Sequence, residues 1–187
     1  TKSLYKFATM TDQEFYKVWD ELRAKYPDAT MKAKPVECLN LIMRKVFAQA
    51  IVDGKKTVEF RAMGQHYYDR LNDKDVLKFL DENCDKDPML AQAAEDGVID
   101  PLRQVKKIHF HNYNNSWYLD VEVVETGIAA ATKEDVEYLH EHYNCHDLDD
   151  VFNDMNKRKV AERPCFYIFG LGKILGTNLK TSAPQGD

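Results

Sequence analysis

Net positive charge is what this 187-residue chain lacks: 26 lysines and arginines face 31 aspartates and glutamates, for a formal charge of −5. Duplex nucleic acid is held largely through neutralised phosphates, so tight duplex DNA binding is not expected, although a local basic pocket is not excluded. Cysteine is sparse. Cys38, Cys84, Cys145 and Cys165 are scattered with no C-x-x-C spacing, which points to reduced, partly buried thiols in a cytoplasmic protein. Long apolar runs are missing too. None approaches the roughly 20 residues a membrane helix needs, so no membrane partner is expected. Internal repeats and low-complexity stretches are absent. Asn114-Asn115-Ser116 matches a glycosylation sequon, read here as a chance match because no secretory signal gives it meaning.

What is present suffices for a core: 44% of residues are hydrophobic and 11% aromatic, which argues against wholesale disorder. The length suits one domain with an extension. Thr11-Asp12-Gln13-Glu14 reads as a capping box. Phe15, Val18, Trp19, Leu22 and Tyr26 follow at helical spacing until Pro27 and Asp28. Residues 1–34 are therefore expected to be a helical extension lying on a main domain at 35–176. Within it, residues 81–101 read as an acidic, turn-rich insertion, and 177–187 as a loose polar tail.

Along the main domain the pattern predicts a strand in 35–43, then a short helix over 44–52 with Phe47, Ala50 and Ile51 inward, stopped by Gly54. Strands follow at 57–61 and 75–80, separated by a loop or helical turn at 65–71. A short helix is expected near 89–94. A hairpin spans 105–112 and 117–124 around Asn114-Asn115, with Trp117 buried. Thr132 caps a helix to about His142, Leu148, Val151, Phe152 and Met155 mark another, and 165–175 is the last strand. Runs of strands broken by a few helices imply an α+β fold, a small, mixed to mostly antiparallel β-barrel with flanking helices.

The densest chemistry lies in Gly54-Lys55-Lys56-Thr57-Val58-Glu59-Phe60-Arg61. At strand period, Val58 and Phe60 share one face while Thr57, Glu59 and Arg61 share the other. Lysine and arginine neutralise phosphate, arginine as a two-pronged fork, and Glu59 suits the donor edge of a base or one of the cations. Set against this is a solvated strand whose ion pairs each contribute under about 1 kcal/mol. His109, His111 and Tyr113 share a face of the hairpin, where aromatics stack single-stranded bases for about 1–3 kcal/mol each. In the run from His140 to His146, His142 and His146 are four apart beside Cys145. No H-E-x-x-H pattern is present, and a helix C-terminus favours histidine through its dipole alone, so no metal ligand and no cofactor is expected. Gly170-Leu171-Gly172 lacks a third glycine opening a helix and reads as close backbone approach or a bulge.

The run from Phe47 to Arg61, with Ile51, Gly54, Lys55, Lys56, Thr57, Glu59 and Arg61, resembles the helix-to-strand signature of the ASCH domains, relatives of the PUA domain. The similarity continues in order. Lys74-Asp75 stands where the family has a Gly-Asp turn, followed by Val76-Leu77-Lys78-Phe79 as a strand. Val121-Glu122-Val123 matches its Val-x-Val strand, residues 132–143 its helix, and Phe166-Tyr167-Ile168-Phe169 its closing strand. The resemblance implies a PUA-like barrel with a cleft beside the Gly-Lys-Lys strand. It implies RNA, a nucleotide or a modified nucleoside as ligand, held by Lys55, Lys56, Thr57, Glu59 and Arg61, to which the hairpin adds Tyr113. The family also includes amidohydrolases acting on acylated cytidines, and nucleases. In the amidohydrolases a lysine matching Lys56 precedes a threonine nucleophile by three residues, and that position is Glu59 here. A catalytic set would have to draw on Lys56, Thr57 and Glu59, with Glu137 or Glu141 as acidic partner. Ligand binding is therefore the first expectation. A hydrolase, amidohydrolase or nuclease-like, is the second. A protein-interaction module using the N-terminal helix and the acidic insertion is the third.

Overall fold

In the computed structural model, which describes residues 10–182, the first helix begins where its capping chemistry demands. The Glu14 amide donates to the Thr11 hydroxyl, the Thr11 amide donates back to the Glu14 carboxylate, and α1 runs Asp12–Lys25. Residues 1–9 of the expected extension and 183–187 of the expected tail lie outside the described residues. The chain continues through β1 (Leu39–Ile42), α2 (Lys45–Val52), β2 (Val58–Ala62), α3 (Gln65–Leu71), α4 (Lys74–Asn83) and α5 (Pro88–Glu95). It closes with β3 (Lys107–His111), β4 (Tyr118–Ala130), α6 (Lys133–Tyr143), α7 (Asp149–Lys157) and β5 (Cys165–Thr177).

The fold is α+β. Its five strands form one sheet in the order β1-β3-β4-β5-β2, parallel between β1 and β3 and antiparallel elsewhere. The sheet is curled into a half-barrel. Its two edge strands, β1 and β2, are brought within reach of each other: Arg61 Nη2 on β2 donates to the Ile42 carbonyl on β1 at 3.1 Å. That contact places the 54–61 segment at the seam of the half-barrel. Twist of this kind comes from strand sterics and is increased by bulges, and the β4–β5 ladder carries register shifts between Asp120 and Glu125.

Three apolar clusters hold the elements. One face of the sheet buries Leu41, Ile108, Phe110, Leu119, Tyr167 and Phe169 with Ala48 and Ile51 of α2. On the other face, Val58 and Ile168 pack against Val136 and Leu139 of α6, with Cys145 and Leu148 from the turn beyond it. The third cluster joins Leu22 of α1 to Val76 and Phe79 of α4 and to Leu90 and Ala93 of α5. The N-terminal helix thus packs on the helices beside and within 81–101, and that stretch builds part of a core.

Two expectations give way here. Residues 75–80 are helical, as part of α4. Six residues with apolar positions at 76, 77, 79 and 80 fit a short strand or a helix, and the cap decides: the Asp73 carboxylate accepts from the Asp75 and Val76 amides, and Val76 and Phe79 then fall on one buried helical face. The Gly-Asp-plus-strand portion of the family resemblance therefore has no counterpart in the structure. On α2, Ala48 and Ile51 point inward, whereas Phe47 is exposed with the Arg44 guanidinium over its ring. Residues 178–182 are tethered: Gln49 Nε2 donates to the Lys180 carbonyl, and the Ser182 amide to Asp53 Oδ1.

Candidate functional site

Gly54 ends α2 in the left-handed region at φ 74°, the conformation a helix stop of this kind requires and a side chain resists. The chain then turns straight into β2, and the three charged groups around its start converge. Glu59 is buried at 5% exposure. Its Oε1 accepts from Arg61 Nε at 2.9 Å and lies 2.8 Å from Arg61 Nη2. Its Oε2 lies 3.4 Å from Lys56 Nζ. Arg61 also donates from Nη1 to the Tyr67 hydroxyl, which leaves this guanidinium spanning β2, β1 and α3. Lys56 donates to the Val58 carbonyl at 2.8 Å and pairs with Asp147 at 3.7 Å. A buried carboxylate held between two cations satisfies the cost of its own burial. With Asp147 counted, two cations meet two carboxylates, so it is the exposed Lys55 that adds net positive charge at the seam.

The expected ligand set is only partly assembled. Lys56, Glu59 and Arg61 come together, while Val58 is fully buried and Phe60 partly so behind them. Lys55 is exposed beside them. Thr57 does not join: its hydroxyl donates to the Tyr143 carbonyl at 2.7 Å, at the end of α6. Tyr113 stands at the hairpin tip at 87% exposure. It lines a depression of about 530 Å³ together with Ile42, Arg44, Lys45, Asn112 and Trp117. Ile42 is also the residue whose carbonyl Arg61 holds, so this depression adjoins the seam. Arg44 and Lys45 escaped the sequence reading because they belong to a different strand end from the Gly-Lys-Lys motif. Arg44 caps α2 without a side-chain acceptor, and the helix start adds partial positive charge to the depression.

Glu137 and Glu141 are exposed on α6. Glu137 pairs with Lys133 at 3.7 Å. The carboxylate that reaches Lys56 is Asp147, from the turn after α6. On α6, His140 and His142 diverge. His142 stacks on Tyr138, ring centroids 4.0 Å apart, while His140 turns toward His146 and Asp149.

A cavity of about 730 Å³ lies between α1, α6 and β4. Its walls include Phe15, Tyr16, Trp19, Tyr138 and His142, with Glu125 among its polar groups. Glu125 accepts from the Tyr138 hydroxyl at 2.9 Å and from the Tyr143 hydroxyl. Burial first, and then the Glu125 carboxylate, push both phenols well above the ordinary tyrosine range. Tyr143 links the two regions: its carbonyl holds Thr57 and its phenol holds Glu125. Nothing in the sequence ties Glu125 to these tyrosines, because the contact depends on α6 folding back over β4 and β5.

Compared with protein-family models, with curated proteins and with solved structures, the chain matches none.

Proposed function

We propose that this protein binds single-stranded RNA or a nucleotide-like ligand along a strip running from Lys55 and Lys56 through Arg61 to Arg44, Lys45 and Tyr113. The observation that carries this reading is the depression holding Arg44, Lys45 and Tyr113 beside the Arg61–Ile42 contact, which turns a local cationic cluster into an extended track. Cations that follow a backbone, next to an exposed aromatic on which a base stacks, are the parts single-stranded recognition uses. The resemblance to ASCH domains at residues 47–61 points to the same ligands and to a PUA-like barrel. The overall charge of −5 favours a short or single-stranded ligand over duplex. Glu59 is too buried to face a ligand broadly. Its role in this reading is to fix Lys56 and Arg61 in place.

The hydrolytic alternative draws less support. The Thr57 hydroxyl is committed to a backbone carbonyl, the position of the relatives' nucleophile is the buried Glu59, and a threonine needs a base within reach to become nucleophilic. A second reading attaches to the cavity at Glu125, whose aromatic walls and half-buried carboxylate suit a compact ligand rich in hydrogen-bond donors.

A thermal-shift screen against nucleosides, nucleotides and short single-stranded RNA tests the proposal. Stabilisation that is lost in the Arg44→Ala/Lys45→Ala variant supports it. Stabilisation untouched by that variant, or none with any of these ligands, overturns it.

A further inference from the structure

The turn between α6 and α7 gathers three side chains that no part of the proposed binding strip uses. His140 lies in the last turn of α6, His146 in the connection, and Asp149 is the first residue of α7. His140 Nε2 is 2.6 Å from Asp149 Oδ1, and His146 Nδ1 is 3.0 Å from Asp149 Oδ2. The two imidazole rings face each other with centroids 4.1 Å apart. One ligand atom from each residue falls within 4.8 Å of the others.

We infer that His140, His146 and Asp149 form a binding site for a divalent transition metal, zinc being the best match. Two imidazoles and one carboxylate are a borderline nitrogen–oxygen set. It suits zinc and its first-row neighbours over calcium or magnesium, which take oxygen ligands. Metal–ligand bonds of about 2.0–2.2 Å in tetrahedral geometry place ligand atoms roughly 3.3 Å apart. The imidazole–carboxylate separations of 2.6 and 3.0 Å need to open and the wider ones, within 4.8 Å, to close, which rotations of side chains a third or more exposed supply. The backbone bearing them is fixed. Cys145 and Leu148, on either side of His146, are both buried in the second core cluster, and Asn144 holds the reversal after α6 at φ 47°. Three protein ligands leave a fourth position for water or an external group.

The consequence reaches the seam without depending on its function. The same turn carries Asp147, the partner of Lys56, and follows Tyr143, the acceptor of Thr57. A metal joining α6 to α7 holds that turn against the start of β2.

The test uses the full chain, freed of metal with a chelator and then titrated with zinc or cobalt. We expect one cobalt per chain with the visible absorption of a four-coordinate site, and a zinc-dependent rise in melting temperature that magnesium does not reproduce. His146→Ala and Asp149→Asn should each weaken uptake more than about a hundredfold, beyond the loss that changes outside the ligand shell typically cause, with the far-ultraviolet circular dichroism unchanged. Cys38→Ser, at an exposed thiol, should leave uptake intact. Substoichiometric uptake, uptake that survives in both ligand variants, or uptake abolished by Cys38→Ser would each overturn the assignment.

Discussion

Glu59 carries one unit of negative charge, buried, against two cations whose side chains are 15% and 20% exposed. Replacing it with glutamine keeps the volume and removes the charge, leaving Lys56 and Arg61 to repel each other with fewer acceptors. Glu59→Gln is therefore expected to cost roughly 1–3 kcal/mol of stability, read from urea denaturation; no loss would mean the pairing contributes little. Asp87 makes a second residue-scale case. Its Oδ1 caps α5 by accepting from the Met89 and Leu90 amides, and its Oδ2 meets Lys25 and the Tyr26 hydroxyl, both at 2.6 Å. The Lys25 ammonium, then the Tyr26 hydroxyl, hold its carboxyl down at about 2. An unfolded aspartate titrates near 4. A depressed carboxylate contributes stability that is complete above the unfolded value and is lost as pH falls through the folded one. Stability should therefore drop between about pH 4 and pH 2 more steeply in the parent protein than in Asp87→Asn, as measured by thermal melts across that range. Neither residue's importance is visible in the sequence. Glu59 could be seen among charged neighbours but not as buried, and Asp87 meets α1 across 61 positions.

At the scale of elements, the helix caps, the hairpin and the glycine stop were legible. Thr11, Thr132, Gly54 and the turn at Asn114-Asn115 act through partners a few residues away, so local sequence carries their signal. Residues 75–80 were misread because six residues with apolar positions at 76, 77, 79 and 80 fit both a strand and a helix, and the deciding cap, Asp73, lies outside the stretch. The length of β4 also escaped, since the bulges between Asp120 and Glu125 break the period that would reveal it. The glycines of β5 make an element-scale prediction. A Cβ on Gly170 would overlap the Tyr143 ring, whose phenol sits over the strand to reach Glu125. A Cβ on Gly64 meets nothing within 4 Å. Gly170→Ala should therefore lower stability by about 1–3 kcal/mol, the range for overpacking, while Gly64→Ala should leave it nearly unchanged, both read from chemical denaturation. Equal effects would contradict the packing of Tyr143 over β5.

For the whole molecule, the α+β class and the mostly antiparallel sheet followed from the order of elements, but the shape of the candidate site did not. Its two halves, residues 55–61 and the depression at 42–45 and 112–117, meet only because the sheet curls until β2 reaches β1. Sequence reasoning found one half by motif and Tyr113 by its exposed-face spacing, and had no means of adding Arg44 and Lys45. No helix among the described residues is long and apolar enough to cross a membrane. The central claim, an extended track for a single-stranded ligand, is tested most directly by fluorescence anisotropy with a roughly ten-nucleotide single-stranded RNA over a range of salt. The account predicts saturable binding that weakens with salt and exceeds binding to a duplex of the same length. Arg44→Ala/Lys45→Ala should lower the salt slope by about 1–2, and Tyr113→Ala should cost about 1–3 kcal/mol with the slope unchanged. Binding that ignores salt, prefers duplex, or is indifferent to these residues would contradict it.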